Sequence, residues 1–423
     1  MQGSANLNVM IKAARKAARA LVKDFREVEN LQVSAKGPGE FVSRADTAAE
    51  EILKAELLGA RPNYGWLAEE GGGSAGTDPT RRWIVDPLDG TTNFLHGMPH
   101  WSVSIALEHK GEIVAGVIYD PAKDEMFFAE KGQGAWLNQS LRLRVSGRTK
   151  MAEAVFATGV QYGPMPELGA TLQDLARLMP RCAGMRRWGS AALDLAYVAA
   201  GRFDGYWERS INLWDIAAGL VIVREAGGLL LADCAQGAGR FALPPCDMAI
   251  VSAHKFGGPI GIGALLVRDY AMLEPSGGHE RGYRRGTENL PGVLGMAAAL
   301  EACGEPYVAP GVLEPLDRLA ADCRAAGGTW LGDVLADPTP YVRAFAMPGM
   351  SGTAQVMRFD MAGFAVSQGS ACSSGTMKTS HVLEAMGMDE NVAANTIRVS
   401  VGWSTTREEV ERFCQQWREL AQA

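Results

Sequence analysis

The string Trp83-Ile84-Val85-Asp86-Pro87-Leu88-Asp89-Gly90-Thr91-Thr92-Asn93-Phe94 constrains this chain more than any other. It opens with an apolar run of the kind buried in a sheet. Two acids three residues apart close the strand. Gly90-Thr91 follows at once, where backbone N–H groups are free to face an anion. Alone, the string reads equally well as a plain strand end with a common Asp-Gly turn or as a metal site. Two further acidic positions favour the second reading: Glu69-Glu70 after the strand-like Tyr64–Ala68, and Asp215 at the start of a helix spanning Ile216–Glu225. Acids at a helix N-terminus are favoured by the dipole, as is bound phosphate. Hard oxygen ligands suit Mg²⁺, which binds through carboxylates plus substrate phosphate. His96 and His100 read as loop or core residues, because hard cations prefer oxygen.

The 423 residues leave room for two or three domains. Hydrophobic content of 47% and charged content of 21% are those of a soluble globular protein. The net charge of -7, with no long Lys/Arg block, argues against a nucleic-acid partner. No stretch is long and apolar enough to span a membrane, and the N-terminus has no signal-peptide core. The seven scattered cysteines form no CxxC pair, which points to the reducing cytoplasm. Helical spacing predicts helices over residues 5–29, 44–58, 190–200 and 215–226, and a last one over 407–421. Strands are expected at 82–85, 101–109, 113–120 and 125–130, with Val103, Ile105 and Leu107 alternating as in a sheet with one buried face. Gly71–Gly76 reads as a loop. After Gly227-Gly228 the character changes, with short apolar strands at 229–232, 248–252 and 264–267.

Four separated motifs, in order, resemble the inositol monophosphatase family over residues 5 to about 228: Trp66–Glu70, Trp83–Phe94, Gly189–Asp194 and Leu213–Gly219. The resemblance implies two or three Mg²⁺ held by Glu69, Asp86, Asp89, Asp215 and the Leu88 carbonyl. It implies phosphate held by the Gly90 and Thr91 amides, and an attacking water oriented by Asp46, Thr91 and Glu69, with Lys36 nearby. Glu208 and Ala191 would meet sugar or cyclitol hydroxyls. The implied activity is Mg²⁺-dependent hydrolysis of inositol monophosphate or a related polyol phosphate, a small-molecule ester.

Beyond Gly228 a second signature emerges. Lys255 closes an apolar strand in Ser252-Ala253-His254-Lys255-Phe256-Gly257, where a lysine can form a Schiff base with an aldehyde cofactor. Asp233 ends the preceding strand, with Gln236 three residues on, and Cys372 lies in the polar loop Gln368–Gly375. With Arg285–Asn289 and Ile397–Ser400, these strings resemble the C-terminal half of a cysteine desulfurase over about 229–421. That resemblance implies pyridoxal phosphate on Lys255, its ring nitrogen paired with Asp233, and Gln236 and His254 beside it. Thr287 would reach a phosphate across a dimer, Cys372 would carry sulfur as a persulfide, and Arg398 would hold the substrate carboxylate. The N-terminal half of such an enzyme has no counterpart here, and Ile260 stands where that family usually has Lys, so desulfurase activity is expected to be impaired.

The fold expected is α+β. Residues 1–228 form an inositol-monophosphatase-like layered α/β sandwich. Residues 229–302 form a partial α/β segment of the pyridoxal-phosphate transferase type (fold type I), and 303–423 its small C-terminal domain. A cytoplasmic homodimer is the expected assembly.

Overall fold

The computed structural model describes the chain except residues 1–2, 28–32, 38–39, 161–167, 210, 276, 305, 310, 335–338, 369–379, 381–382, 384–387 and 423, with backbone alone at 33–37, 40–43, 168, 170 and 280. It divides into two compact units, Met1–Leu229 and Leu230–Ala423.

In the first unit, α1 (Ala5–Phe25) is capped by Ser4, whose Oγ accepts the Leu7 N–H at 3.2 Å. Leu7, Met10, Ile11, Ala14, Ala17, Ala18 and Leu21 form its buried stripe. A short hairpin, β1 (Val33–Gly37) and β2 (Glu40–Ser43), leads into α2 (Arg44–Ala60), which buries Ala45, Ala49, Leu53 and Leu57. Next come β3 (Tyr64–Ala68), β4 (Gly72–Ser74), β5 (Asp78–Asp89), α3 (Thr91–Leu95), β6 (Ser102–His109), β7 (Glu112–Asp120), β8 (Glu125–Glu130), β9 (Ala135–Leu137) and β10 (Leu141–Arg142). They build one sheet in the order β10-β9-β8-β7-β6-β5-β3-β4, antiparallel except for the β3–β5 pair. The glycine-rich stretch expected to be a loop contributes β4, because Gly72–Ser74 finds ladder partners in Trp66–Ala68.

The rest of the unit holds β11 (Val155–Thr158), α4 (Leu168–Leu178), β12 (Gly184–Arg186), α5 (Ala191–Ala199), β13 (Gly205–Trp207) and α6 (Leu213–Glu225). The three short strands form a parallel sheet in the order β12-β11-β13. Helix α6 packs so closely on β7 that a Cβ at Gly116 would lie 2.6 Å from the Ala218 carbonyl oxygen. This layer corrects the reading of β6. Ser102, Ser104 and Ala106 are as buried as Val103, Ile105 and Leu107, because helices cover both faces of the sheet.

The second unit contains β14 (Leu231–Asp233), β15 (Met248–Ser252) and β16 (Gly263–Val267), a three-stranded sheet in that order. Helix α7 (Leu290–Ala302) packs Met296 and Ala299 onto Ala249, Val251, Ala253 and Phe256. A separate core gathers around β17 (Thr329–Trp330), β18 (Val342–Ala346) and β19 (Thr396–Ser400). Helices α8 (Glu314–Ala325), α9 (Gly352–Met361), α10 (Glu390–Ala394) and α11 (Arg407–Ala421) accompany them, with Phe345, Phe359, Phe413 and Trp417 at the centre. No helix among the described residues is long and apolar enough to cross a membrane.

Candidate metal and phosphate site

Strand period 2 sends residues three apart to opposite faces of a sheet. Asp86 and Asp89 escape this rule through a bulge. Asp86 pairs with Ser104 and Asp89 with Ser102, so the Asp86–Asp89 segment carries one more residue than its partner. Because Ser104 and Ser102 share a face, the bulge brings both acids to the same side. Pro87, which has no N–H to lose from the ladder, suits that position. Gly90 then takes φ +91°, the left-handed region, and a Cβ there would sit 3.0 Å from the His100 carbonyl oxygen. The turn is anchored behind by Phe94, whose ring lies 5.3 Å from Phe25 and 5.0 Å from Trp101. Each such aromatic pair adds about 0.5–1.5 kcal/mol beyond area burial.

Thr91, Asp46 and Leu88 meet in one small network. Thr91 Oγ1 lies 3.0 Å from Asp46 Oδ1 and 3.0 Å from the Leu88 carbonyl, and its single proton serves one acceptor at a time. Asp46 is fully buried in the first turn of α2. Asp86 Oδ1 accepts the Leu88 N–H at 2.9 Å. Asp89 accepts the Ser190 hydroxyl, the Ala192 N–H at 2.9 Å and the Ala191 N–H at 3.2 Å, so it caps α5 together with Ser190. The Ala191 amide is therefore spent on Asp89. Asp215, expected at the start of its helix, lies in the first turn, which begins two residues earlier at Leu213. It is the third residue of α6, drawn inside because its carboxylate reaches back to the Asn212 N–H at 2.9 Å in a capping box. Glu69 is half-buried at the end of β3. Lys36 lies on β1, of which only the backbone is described.

Three supports went unread in the sequence. Glu50 accepts the Glu70 N–H at 2.9 Å and the Gly71 N–H at 3.0 Å, fixing the chain directly after Glu69. Asn93 donates to the carbonyls of His100 at 2.8 Å and Trp188 at 2.7 Å, tying α3 to the segment before α5. Ser190 carried a recognisable signal, a serine just before an apolar helix. Glu50 and Asn93 carried none, since their partners lie far along the chain or belong to backbone.

The electrostatics follow from burial. Asp86 has its carboxyl pushed well above the usual range, first by burial and then by the charges of Glu69, Asp89 and Asp215. Asp89 is raised to about 6 by burial, against the stabilising bonds from Ser190, Ala192 and Ala191. Asp215 rises to about 8 through burial and the charge of Asp89. Glu208, which accepts the Tyr206 hydroxyl, is raised by burial, while Arg187 pulls it down. Its carboxylate lies over Gly159, where a Cβ would overlap it. A buried set of like charges with hard oxygen donors fits a divalent cation in chemistry and in charge. Among the described residues no three Asp, Glu, His or Cys side chains converge tightly enough to form a ready-made metal cluster. Oxygens of Asp89 and Asp215 are turned instead to the backbone of α5 and α6.

The second group of candidate residues is arranged differently. Lys255 is half-buried in a 3₁₀ turn, Ala253–Phe256, and its carbonyl accepts Arg240 Nη2 at 2.9 Å. Asp233 is exposed, with Oδ1 accepting the Ala235 N–H of its own turn at 3.0 Å. Gln236, His254 and Thr287 are exposed, and His254 Nδ1 lies 3.0 Å from Ser252 Oγ. Arg398 is half-buried on β19, its backbone bonded to Ser367. Cys372 lies outside the described residues. A pyridinium nitrogen needs a desolvated carboxylate, and a carboxylate in water pairs with it only weakly. The described residues therefore do not fit pyridoxal phosphate.

A layered α/β unit with buried carboxylates around a bulged strand end suits a divalent cation together with an anionic ester. A model of the inositol monophosphatase family matches residues 4–255, and one of aminotransferase class-V matches 213–413. The chain is 57% identical over 228 residues to inositol-1-monophosphatase of Rhizobium meliloti, covering 54% of this chain and 85% of that protein. It is 54% identical over 220 residues to inositol-1-monophosphatase of Caulobacter vibrioides, covering 52% and 86%. The crystal structure of extragenic suppressor protein suhB from Bartonella henselae aligns with TM-score 0.52 and 56% identity over 53% of this chain and 86% of that one. The chain belongs to the inositol monophosphatase family.

Proposed function

We propose that the first unit hydrolyses monophosphate esters of polyols, with inositol monophosphate as the model substrate. The observation that carries this is the like-charge field on Asp86 from Glu69, Asp89 and Asp215, beside the Thr91–Asp46 pair. Glu69, Asp86, Asp89, Asp215 and the Leu88 carbonyl would hold two or three Mg²⁺, which when bound stabilise negative charge on the attacking and leaving oxygens. Thr91 Oγ1 accepts a hydrogen bond from the attacking water. As that water's proton passes to Thr91 Oγ1, the hydroxyl's own proton moves to Asp46 Oδ1. Glu69 orients the same water. The Gly90 and Thr91 amides hold the phosphate in line. Glu208 accepts a polyol hydroxyl, steadied by Tyr206, and Ala191 borders the same end.

The chain beyond residue 228 divides in our reading into 229–302 and 303–423, each with its own sheet and core. We assign no pyridoxal-phosphate step to it. The cytoplasm is the compartment this reading implies.

The test is phosphate release from inositol 1-phosphate by the full chain with Mg²⁺. Asp86→Asn is expected to lower kcat/KM by about 100-fold or more. A wild-type protein that releases no phosphate, or an Asp86→Asn variant as active as wild type, rejects the proposal.

A further inference from the structure

A cavity of about 180 Å³ lies in the first unit, where the start of α1 meets the end of β8 and strand β9. Leu7 and Ile11 from α1, Phe128 from β8 and Trp136 from β9 supply its apolar wall, and Glu130 and Gln139 supply polar groups. Strand alternation fixes which side of the large sheet this is. Phe128 pairs with Val117 and Glu130 with Ala115, and Val117 and Ala115 share one core with α1. Gly116 points the other way, against α6. Ile118 alternates to that same side. It pairs with Ser104, and Ser104 pairs with Asp86, so Asp86 lies on the α6 side. The sheet therefore stands between this cavity and the candidate metal site.

Charge and shape both point to one kind of ligand. Glu130 is half-buried, and its Oε2 accepts the Ser4 N–H in a long bond of 3.3 Å. Among the described residues its Oε1 takes no hydrogen bond, and no Lys, Arg or His forms an ion pair with it. The neighbouring cations are engaged elsewhere. Lys131 pairs with Glu112 at 2.6 Å, and Arg142 lies 5.9 Å over the Trp136 ring. A half-buried carboxylate without a counter-charge has lost part of its hydration and gained no cation in exchange. The wall beside it has the size for one ring, since an apolar cavity of about 150 Å³ holds benzene. Gln139 is held at the rim with φ +62° in the turn between β9 and β10. Asn138 anchors that turn, accepting the Met126 N–H at 2.8 Å and donating to the Asp124 carbonyl at 2.9 Å.

We propose that this cavity binds a small aryl-alkyl ammonium ion, with its ring against Phe128, Trp136, Leu7 and Ile11 and its ammonium on Glu130 Oε1. An ammonium has three N–H donors and no acceptor. Glu130 takes one of them, the side-chain oxygen of Gln139 takes a second, and water at the open mouth takes the third. A carboxylate ligand is rejected by the Glu130 charge. A neutral alcohol of the same shape keeps the ring contacts and loses the ion pair. A hydrogen bond between two charged groups is shorter and about twice as strong as a neutral one, so the ammonium gains about 10-fold or more over the alcohol.

Isothermal titration of the full chain with phenethylamine tests this, with 2-phenylethanol and phenylacetate as the neutral and anionic comparators. Phenethylamine is expected to bind about 10-fold or more tighter than 2-phenylethanol, and phenylacetate to give no heat. Glu130→Gln keeps an acceptor for the Ser4 N–H and removes the charge. It is expected to bring phenethylamine down to the affinity of 2-phenylethanol, whose own binding stays unchanged, with the same melting temperature as wild type. If Glu130→Gln melts early, Gln139→Lys decides, because it sets a cation at the exposed rim and leaves Glu130 in place. That variant is expected to lose the preference for the amine as well. A wild-type chain that gives no heat with phenethylamine, equal affinity for the amine and the alcohol, or a preference for the amine retained in both variants overturns the proposal.

Discussion

Replacing Asp194 with Asn separates the electrostatics of the site from its packing. Asp194 lies in the first turn of α5, 2% exposed, and its Oδ1 is buried with no hydrogen-bond partner. Burial, then the charges of Asp89 and Glu208, raise its carboxyl from 3.8 to about 8, against the pull of Arg187. The folded protein therefore binds this proton more tightly than the unfolded chain. Its contribution to stability is fully present below about pH 4 and is lost as pH rises through about 8. At about 1.4 kcal/mol per pH unit the complete loss reaches roughly 6 kcal/mol. Relaxation of Asp89 and Glu208 in the variant makes this an upper bound. Asn cannot ionise and occupies the same volume. Urea unfolding of the first unit, with chelator present and pH stepped from about 5 to about 9, is the assay. The stability gain of Asp194→Asn over wild type is expected to start small, grow through neutral pH and level off above about 8. A difference that stays flat with pH, or that shrinks as pH rises, would refute the burial argument.

Other consequences are open to direct measurement. Thr91→Ala is expected to cut kcat on inositol 1-phosphate by about 100-fold or more, while Thr91→Ser, which keeps the hydroxyl between Asp46 and Leu88, retains most of it. Gly159→Ala would drive a methyl into the Glu208 carboxylate. It is expected to raise KM for inositol 1-phosphate and leave turnover of p-nitrophenyl phosphate, which has no polyol, nearly unchanged. Gly116→Ala forces a Cβ to within 2.6 Å of Ala218 O, and thermal melting should report a loss of about 1–3 kcal/mol in the first unit.

Much of the site was legible because its signals are local. An apolar run ending in Asp86, the Gly90-Thr91 pair directly after it and an acid at the start of an apolar helix each act within a few residues, through strand period, free backbone amides and the helix dipole. The same local signals placed α2, β7, β8, β15 and α11 close to their observed ends. Where the reading failed, a long-range partner had decided the outcome. Gly72–Ser74 became a strand because β3 offered it a ladder. Strand β6 is buried on both faces because helices pack on both sides of its sheet.

By itself the sequence determined which acids are available and that strand ends and helix starts carry them. Only the tertiary structure decided which of them lie near one another. The bulge against β6 put Asp86 and Asp89 on one face, and Asp46 reached Thr91 across 45 residues. Asp89 found Ser190 across 101. It also decided that β16 is an edge and that Asp233 stays in water. The physical reason is range. Periodicity and capping are set by neighbours along the chain, whereas burial, charge repulsion and unpaired strand edges depend on what the rest of the fold places alongside.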